Sequence, residues 1–276
     1  MADNLLEISN LKTHFFTKKG VVRAVDGVSL QIKKKEMVGL VGESGCGKSV
    51  TALSIIRLIP DPPGKTIEGQ IFLEGEDILM KNENEMKNVR GRKISMVFQD
   101  PLTSLDPIMK IGDQLVEVIK LDDELTSTEA HLRAVRLLTD VGIPDAEMRF
   151  NQYPFQLSGG MRQRVMIAIS LASNSSLLIA DEPTTNLDVT VQDQILDLIR
   201  KMSKKTSASV LLITHNLGIV AWLCDRVLVM YSGKIIEQGD TETMFSNPLH
   251  PYTVSLMRSI PKLDSNARLE SINGDV

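Results

Sequence analysis

The chain has 276 residues, of which 42% are hydrophobic, enough for a real core in one large domain or two small ones. With 35 acidic side chains against 31 Lys and Arg the formal net charge is -4, which gives no support to a nucleic-acid partner. Two cysteines, Cys46 and Cys224, argue against a disulfide framework or a Cys-rich metal centre; no signal peptide opens the chain, and no apolar run approaches the roughly 18 residues that would span a bilayer.

Residues 5–40 alternate short apolar runs with turn signals: Leu5-Leu6-Glu7-Ile8, Val21 to Val25, then Val28 to Ile32. This pattern predicts a small antiparallel sheet leading into a buried strand. Phe15 and Phe16 lie in that opening. In a chain with 4% aromatic residues such a pair could set one ring against a base, although a core or edge-strand role is the plain alternative. Apolar Met37 to Val41 then runs into Gly42-Glu43-Ser44-Gly45-Cys46-Gly47-Lys48-Ser49, followed by the helical stretch from Val50 to Ile56. Strand, G-x-x-x-x-G-K-[ST] and helix together make a phosphate cradle. Its glycines let backbone N–H groups converge on phosphate oxygens and the helix start adds partial positive charge. Lys48 can reach the β- and γ-phosphates, and Ser49 can ligate Mg²⁺. Gly42, Ser44, Gly45, Cys46, Gly47, Lys48, Ser49 and Val50 are therefore the expected nucleotide-binding residues.

Pro60 to Gly64 breaks the helix, Ile67 to Leu73 reads as a strand, and Lys93 to Phe98 is a further short strand ending at Gln99. Residues 109–157 are helical in pattern, with Ile111, Leu115, Val118 and Ile119 on one face and then Ala134, Val135, Leu138 and Val141, which suggests a helical insertion. It closes on Leu157-Ser158-Gly159-Gly160-Met161 ahead of an apolar helix, a second backbone anion site of the same kind or simply a helix cap. Leu177 to Ala180 is a buried strand that delivers Asp181 and Glu182 at its C-terminal end, where parallel sheets hold ligands. Asp181 is suited to Mg²⁺ and Glu182 to accepting a proton from, or orienting, an attacking water; a solvated turn is the bland alternative. Asn186-Leu187-Asp188 precedes a helix from about Thr190 to Met202, and the apolar run Val210 to Ile213 ends at Thr214-His215, a possible γ-phosphate contact. Val227 to Met230 adds a strand, residues 247–261 a Pro-bounded helix, and the polar chain beyond Lys262 is expected to fray.

From about residue 5 to 261 these pieces resemble the nucleotide-binding subunit of an ATP-binding-cassette (ABC) transporter. The Walker A loop looks like Gly42 to Ser49, the Q-loop Gln99, the signature Leu157 to Met161, and the Walker B strand Leu177 to Asp181 with catalytic Glu182. The D-loop looks like Asn186-Leu187-Asp188 and the switch histidine His215. Phe15 most nearly matches the aromatic that stacks on adenine. The resemblance implies an α/β fold with a P-loop NTPase (RecA-like) core of mostly parallel sheet, an N-terminal antiparallel β subdomain and a helical signature-motif subdomain. An ATP-binding domain would cover 1–232, with the helical part inserted at about 100–165, and an extension would cover 233–276. Phe98 to Pro107 and Asn247 to Thr253 look like the oligopeptide/dipeptide/nickel importer branch. Members of that branch often carry a Cys-rich iron–sulfur segment; no cysteine follows Cys224, so no cluster is expected. Asn186 stands where the family more often has alanine.

By the same resemblance two such subunits, identical or related, pair head to tail with ATP between the Walker A loop of one and the signature of the other. Ser158, Gly159, Gly160 and Asp188 would then face the partner's nucleotide, and Ser49, Gln99 and Asp181 would hold Mg²⁺. Lys48, Gln99, Glu182 and His215 would carry the chemistry. Two membrane permease subunits and, indirectly, an extracytoplasmic solute-binding protein would complete the machine, placing the chain peripherally on the cytoplasmic face of the membrane. A soluble cassette ATPase of DNA repair or translation would favour coiled-coil insertions, tandem cassettes or a basic face, none of which is seen. An exporter subunit is opposed by the importer-like stretches, and a P-loop kinase has no reason to carry Leu157 to Met161 or Glu182 after Asp181.

Overall fold

The computed structural model describes residues 4–100, 104–121, 125–185 and 187–258; the expectations for Asn186, for Pro101 to Thr103 and for the tail fall outside the described residues. Two compact units emerge, one from Met1–Lys81 with Val210–Val276 and the other from Asn82–Ser209.

In the first unit β1 (Asn4–Thr17) and β2 (Gly20–Lys33) form a long antiparallel hairpin. On the other edge of β1 lies β4 (Gly64–Leu73), followed by β5 (Glu76–Asp77), giving the order β2-β1-β4-β5. The antiparallel opening is as expected, and the two apolar runs Val21 to Val25 and Val28 to Ile32 belong to one strand. Between them Gly27 has φ 88 and the register with β1 shifts, so a bulge reverses the in–out alternation and reads in the sequence as a break. The strand β3 (Met37–Val41) is buried at every residue, flanked in parallel by β8 (Ser209–Thr214) and β9 (Arg226–Tyr231). Burial on both faces is why these strands are continuous apolar runs without alternation. Helix α1 (Lys48–Ile55) follows β3 and is tied to β1 by a 2.8 Å hydrogen bond between the Thr13 and Ser54 hydroxyls.

The segment expected as an extension from 233 begins as an edge strand, β10 (Lys234–Asp240), antiparallel to β9. Its sequence gave no strand signal because none of its residues is fully buried. Two short helices follow, Thr241–Ser246 and Pro251–Arg258, the second being the expected Pro-bounded helix.

In the second unit β6 (Ile94–Val97) pairs in parallel with β7 (Leu177–Asp181). The helical stretch between them resolves into Ile111–Ile119, Ser127–Asp140 and Ala146–Phe150, then a 3-10 turn at Pro154–Gln156. Thr126 and Glu129 form a capping box that starts the second of these, and its buried face is Ala130, Ala134 and Leu138. The helices Gly159–Leu171 and Val189–Thr206 complete the unit. Among the described residues no helix is long and apolar enough to cross a membrane.

Candidate nucleotide site

The phosphate loop is built by the register of the first unit's sheet. Val41 pairs with Thr214 on one side and Val229 on the other, so the chain leaving β3 at Gly42 emerges beside His215 and Met230. Gly42 (φ 154) and Gly47 (φ 111) take conformations that suit glycine, and both are also pinned by neighbours. A Cβ at Gly42 would lie 2.2 Å from the Met230 carbonyl oxygen, and one at Gly47 would lie 2.2 Å from that of Ala24. The loop therefore admits no other residue at either position without moving β9 or β2.

Lys48 is 4% exposed, and its Nζ donates to the carbonyls of Gly42 at 2.8 Å and Glu43 at 2.7 Å. Nζ also lies 3.7 Å from Cys46 Sγ. A buried ammonium held by neutral groups is a strong donor to anionic oxygen, because a charged partner roughly doubles the strength of such a hydrogen bond. Helical bonding begins with Thr51 N–H to the Gly47 carbonyl at 2.9 Å, so the turn from Lys48 leads with its N–H groups. Glycine cradle, buried ammonium and helix start fit the phosphates of a nucleotide. Ser44 and Gly45 are exposed, while Ser49 and Val50 are half-buried. Cys46 is buried, and burial raises its thiol pKa; its carbonyl accepts from Gly233 N–H at 2.9 Å. Its side chain packs beneath the loop, against Lys48 Nζ, while its backbone ties the loop to Gly233. His215 is exposed at the end of β8, and Asn216 caps the next helix.

Phe15 and Phe16 point to opposite faces of β1. Phe15, two residues beyond Thr13 and in unbroken register with β4, lies on the face that Thr13 turns to α1, with its ring against Gly64. Phe16 is 52% exposed on the other face.

In the second unit Val97 pairs with Ala180, so Gln99 and Glu182, each two residues further on, leave their strands at the same level. Gln99 Nε2 donates to Glu182 Oε2 at 3.0 Å, and Thr185 Oγ1 donates to the same oxygen at 2.9 Å. Glu182 has φ 45, a left-handed backbone that a non-glycine residue adopts at some cost, while Asp181 before it is buried at the strand end. Two glutamines that the sequence reading passed over hold the loop beyond. Gln163 Nε2, buried, donates to the Pro183 carbonyl at 2.6 Å, and Gln192 Nε2 donates to the carbonyls of Thr184 and Leu187, both at 3.1 Å. Gln163 lies between Arg162 and Arg164 in the first turns of its helix, so nothing local set it apart from a solvated polar face.

Ser158 and Asp188, expected to face a partner's nucleotide, each cap a helix of their own. Ser158 Oγ accepts from Met161 N–H at 3.3 Å, and Asp188 Oδ1 from Val191 N–H at 3.0 Å. The two turns are neighbours, since a Cβ at Gly160 would meet Val191 Cγ1 at 3.1 Å, whereas one at Gly159 would meet nothing within 4 Å. Asp188→Ala removes a cap and should cost about 1 kcal/mol of stability, whereas Asp188→Asn keeps an acceptor and should cost little. Thermal melts of the two variants check this; equal melting points would show that the cap contributes nothing.

A model of the ABC transporter family matches residues 25–185. The chain belongs to that family. As an ABC subunit it is a nucleotide-binding ATPase with the P-loop NTPase α/β fold. A second family model, the C-terminal region of oligopeptide/dipeptide transporters, matches residues 236–276 of this ABC chain. The oligopeptide transport ATP-binding protein AppD of Bacillus subtilis is 50% identical over 273 residues, covering 99% of this chain and 83% of AppD. OppD of the same organism, also an oligopeptide transport ATP-binding protein, is 51% identical over 266 residues, covering 96% of this chain and 74% of OppD. Among solved structures, the dimeric post-hydrolysis ATP-binding cassette MJ0796 bound to ADP and Pi superposes with a TM-score of 0.77 at 26% identity, covering 86% of this ABC chain and 98% of that one.

Proposed function

We propose that this ABC subunit hydrolyses ATP to drive uptake of oligopeptides, dipeptides or a related small solute through separate membrane permease subunits. The observation that carries the reading is the likeness, over nearly the whole chain and at half identity, to oligopeptide transport ATP-binding proteins, joined to the match of residues 236–276 to the C-terminal region of such transporters. Phe15 stacks on adenine, in keeping with its place on the α1 face of β1. The cradle from Gly42 to Val50, with Ser44, Gly45, Cys46 and Gly47 contributing backbone N–H groups and Lys48 its ammonium, takes the phosphates. Mg²⁺, held by Ser49, Asp181 and Gln99, would neutralise charge on the β- and γ-phosphates. Glu182 orients the attacking water and accepts its proton, and His215 donates to the γ-phosphate.

Two such subunits, identical or related, pair head to tail, with Ser158, Gly159, Gly160 and Asp188 of one completing the site of the other. ATP then holds the pair closed and its hydrolysis releases it. Two permease subunits receive that motion, a solute-binding protein delivers the cargo outside, and the chain sits on the cytoplasmic face of the membrane. Neither an iron–sulfur cluster nor nucleic acid enters the scheme. In cells whose only copy is deleted, uptake of labelled oligopeptide should be lost and restored by the wild-type chain but not by Glu182→Gln. Uptake unchanged by the deletion would remove the peptide assignment.

A further inference from the structure

The phosphate loop is gripped from outside by the C-terminal segment. Glu43 N–H donates to the Tyr252 hydroxyl at 3.1 Å, and Tyr252 lies in the helix Pro251–Arg258, inside the stretch that matches the oligopeptide/dipeptide C-terminal region. That N–H belongs to the same peptide plane as the Gly42 carbonyl, which accepts from Lys48 Nζ at 2.8 Å. In a trans peptide the C=O and N–H point in opposite directions, so Lys48 holds one edge of the plane and Tyr252 the other.

Tyr252 is itself held in place. Its ring packs on Tyr231 with centroids 4.6 Å apart, and Tyr231 follows Met230, whose carbonyl closes on Gly42. Ahead of the helix, the Glu237 carboxylate accepts from the N–H groups of Leu249 at 2.7 Å and His250 at 3.0 Å, and His250 Nδ1 accepts from Tyr252 N–H at 3.1 Å. Burial pushes the Tyr252 phenol up to about 12, which keeps the hydroxyl neutral at physiological pH. A continuous chain of hydrogen bonds thus runs from β10 through Glu237, His250 and Tyr252 to Glu43, and from the peptide Gly42–Glu43 to Lys48.

We propose that Tyr252 is a positioning residue for ATP binding, through which the C-terminal segment sets the conformation of the phosphate loop. The proposal rests on the reading of Gly42 to Ser49 as the ATP site. With the peptide plane fixed in advance, the loop does not have to be ordered when phosphate arrives, and Lys48 is presented from a defined place. Without the hydroxyl, that ordering falls on the binding step. The chemical step is left alone, because Glu182 and its partners Gln99 and Thr185 take no part in this chain of bonds and Lys48, at its end, keeps both its carbonyl partners.

The test is ATP titration by calorimetry and steady-state hydrolysis on the full chain. Tyr252→Phe keeps the ring and removes one hydrogen bond; it should raise the Kd and KM for ATP about three- to tenfold, with kcat within about twofold of wild type. Glu237→Gln, which weakens the latch ahead of the helix, should shift Kd in the same direction by less. Wild-type Kd in Tyr252→Phe would overturn the proposal, as would a loss of kcat and melting temperature with Kd unchanged, the mark of a merely structural contact. Failure of the underlying reading looks different: Lys48→Ala would then bind ATP undiminished, whatever Tyr252→Phe does.

Discussion

Glu182→Gln should bind ATP as wild type does, hydrolyse it about 10²- to 10⁴-fold more slowly, and accumulate as a closed dimer in ATP. The substitution is nearly isosteric, and its carbonyl oxygen can still accept from Gln99 and Thr185, which both donate to Glu182 Oε2 in the native site. What is lost is a group able to take a proton from water. The residue's left-handed backbone, φ 45, and the bonds from Gln163 and Gln192 to the loop just beyond fix where that carboxylate points, so the defect should be one of chemistry rather than folding. Single-turnover hydrolysis and size-exclusion chromatography in ATP read the two effects. Hydrolysis at the wild-type rate would mean that another group handles the water.

Lys48→Ala should weaken ATP binding itself, by about 10- to 100-fold, the worth of a charge-assisted hydrogen bond in a buried site. Two separate losses contribute. The ammonium no longer meets the phosphates, and the carbonyls of Gly42 and Glu43 lose the donor that draws them together at 2.8 and 2.7 Å. Calorimetric titration separates this from Glu182→Gln: the lysine variant fails at binding, the glutamate variant after it. An unchanged Kd in Lys48→Ala would withdraw the phosphate role from the loop.

The two sites differ in how far they could be read from the chain alone. Gly42 to Ser49 is legible because everything it needs is local: glycines at the spacing that turns a strand into a helix start, and a lysine on the first turn. Asp181 and Glu182 are legible as carboxylates at the end of an apolar strand, but their meaning rested on resemblance. That Glu182 meets Gln99 depends on the pairing of β6 with β7 across 83 residues of sequence. The roles of Gln163, Gln192 and Tyr252 could not be read from their own stretches, since a polar side chain acquires its role from the carbonyl or N–H that packing brings to it. Ser158 and Asp188 were expected as ligand groups, and the structure adds that each also caps a helix.

By itself, then, the sequence marked the buried strands and the helical stretch through their periodicity and the phosphate cradle through a short local motif, while the family came from the resemblance that several such motifs carry together. Tertiary structure alone decided that Val21 to Ile32 is one bulged strand, that Lys234 to Asp240 is an edge strand, and that Phe15 faces α1 while Phe16 faces away. It also decided that the cradle is braced through Tyr252. The physical reason is common to all four: register and burial are set by contacts between distant segments, and hydrophobic pattern specifies them only where a face is fully buried.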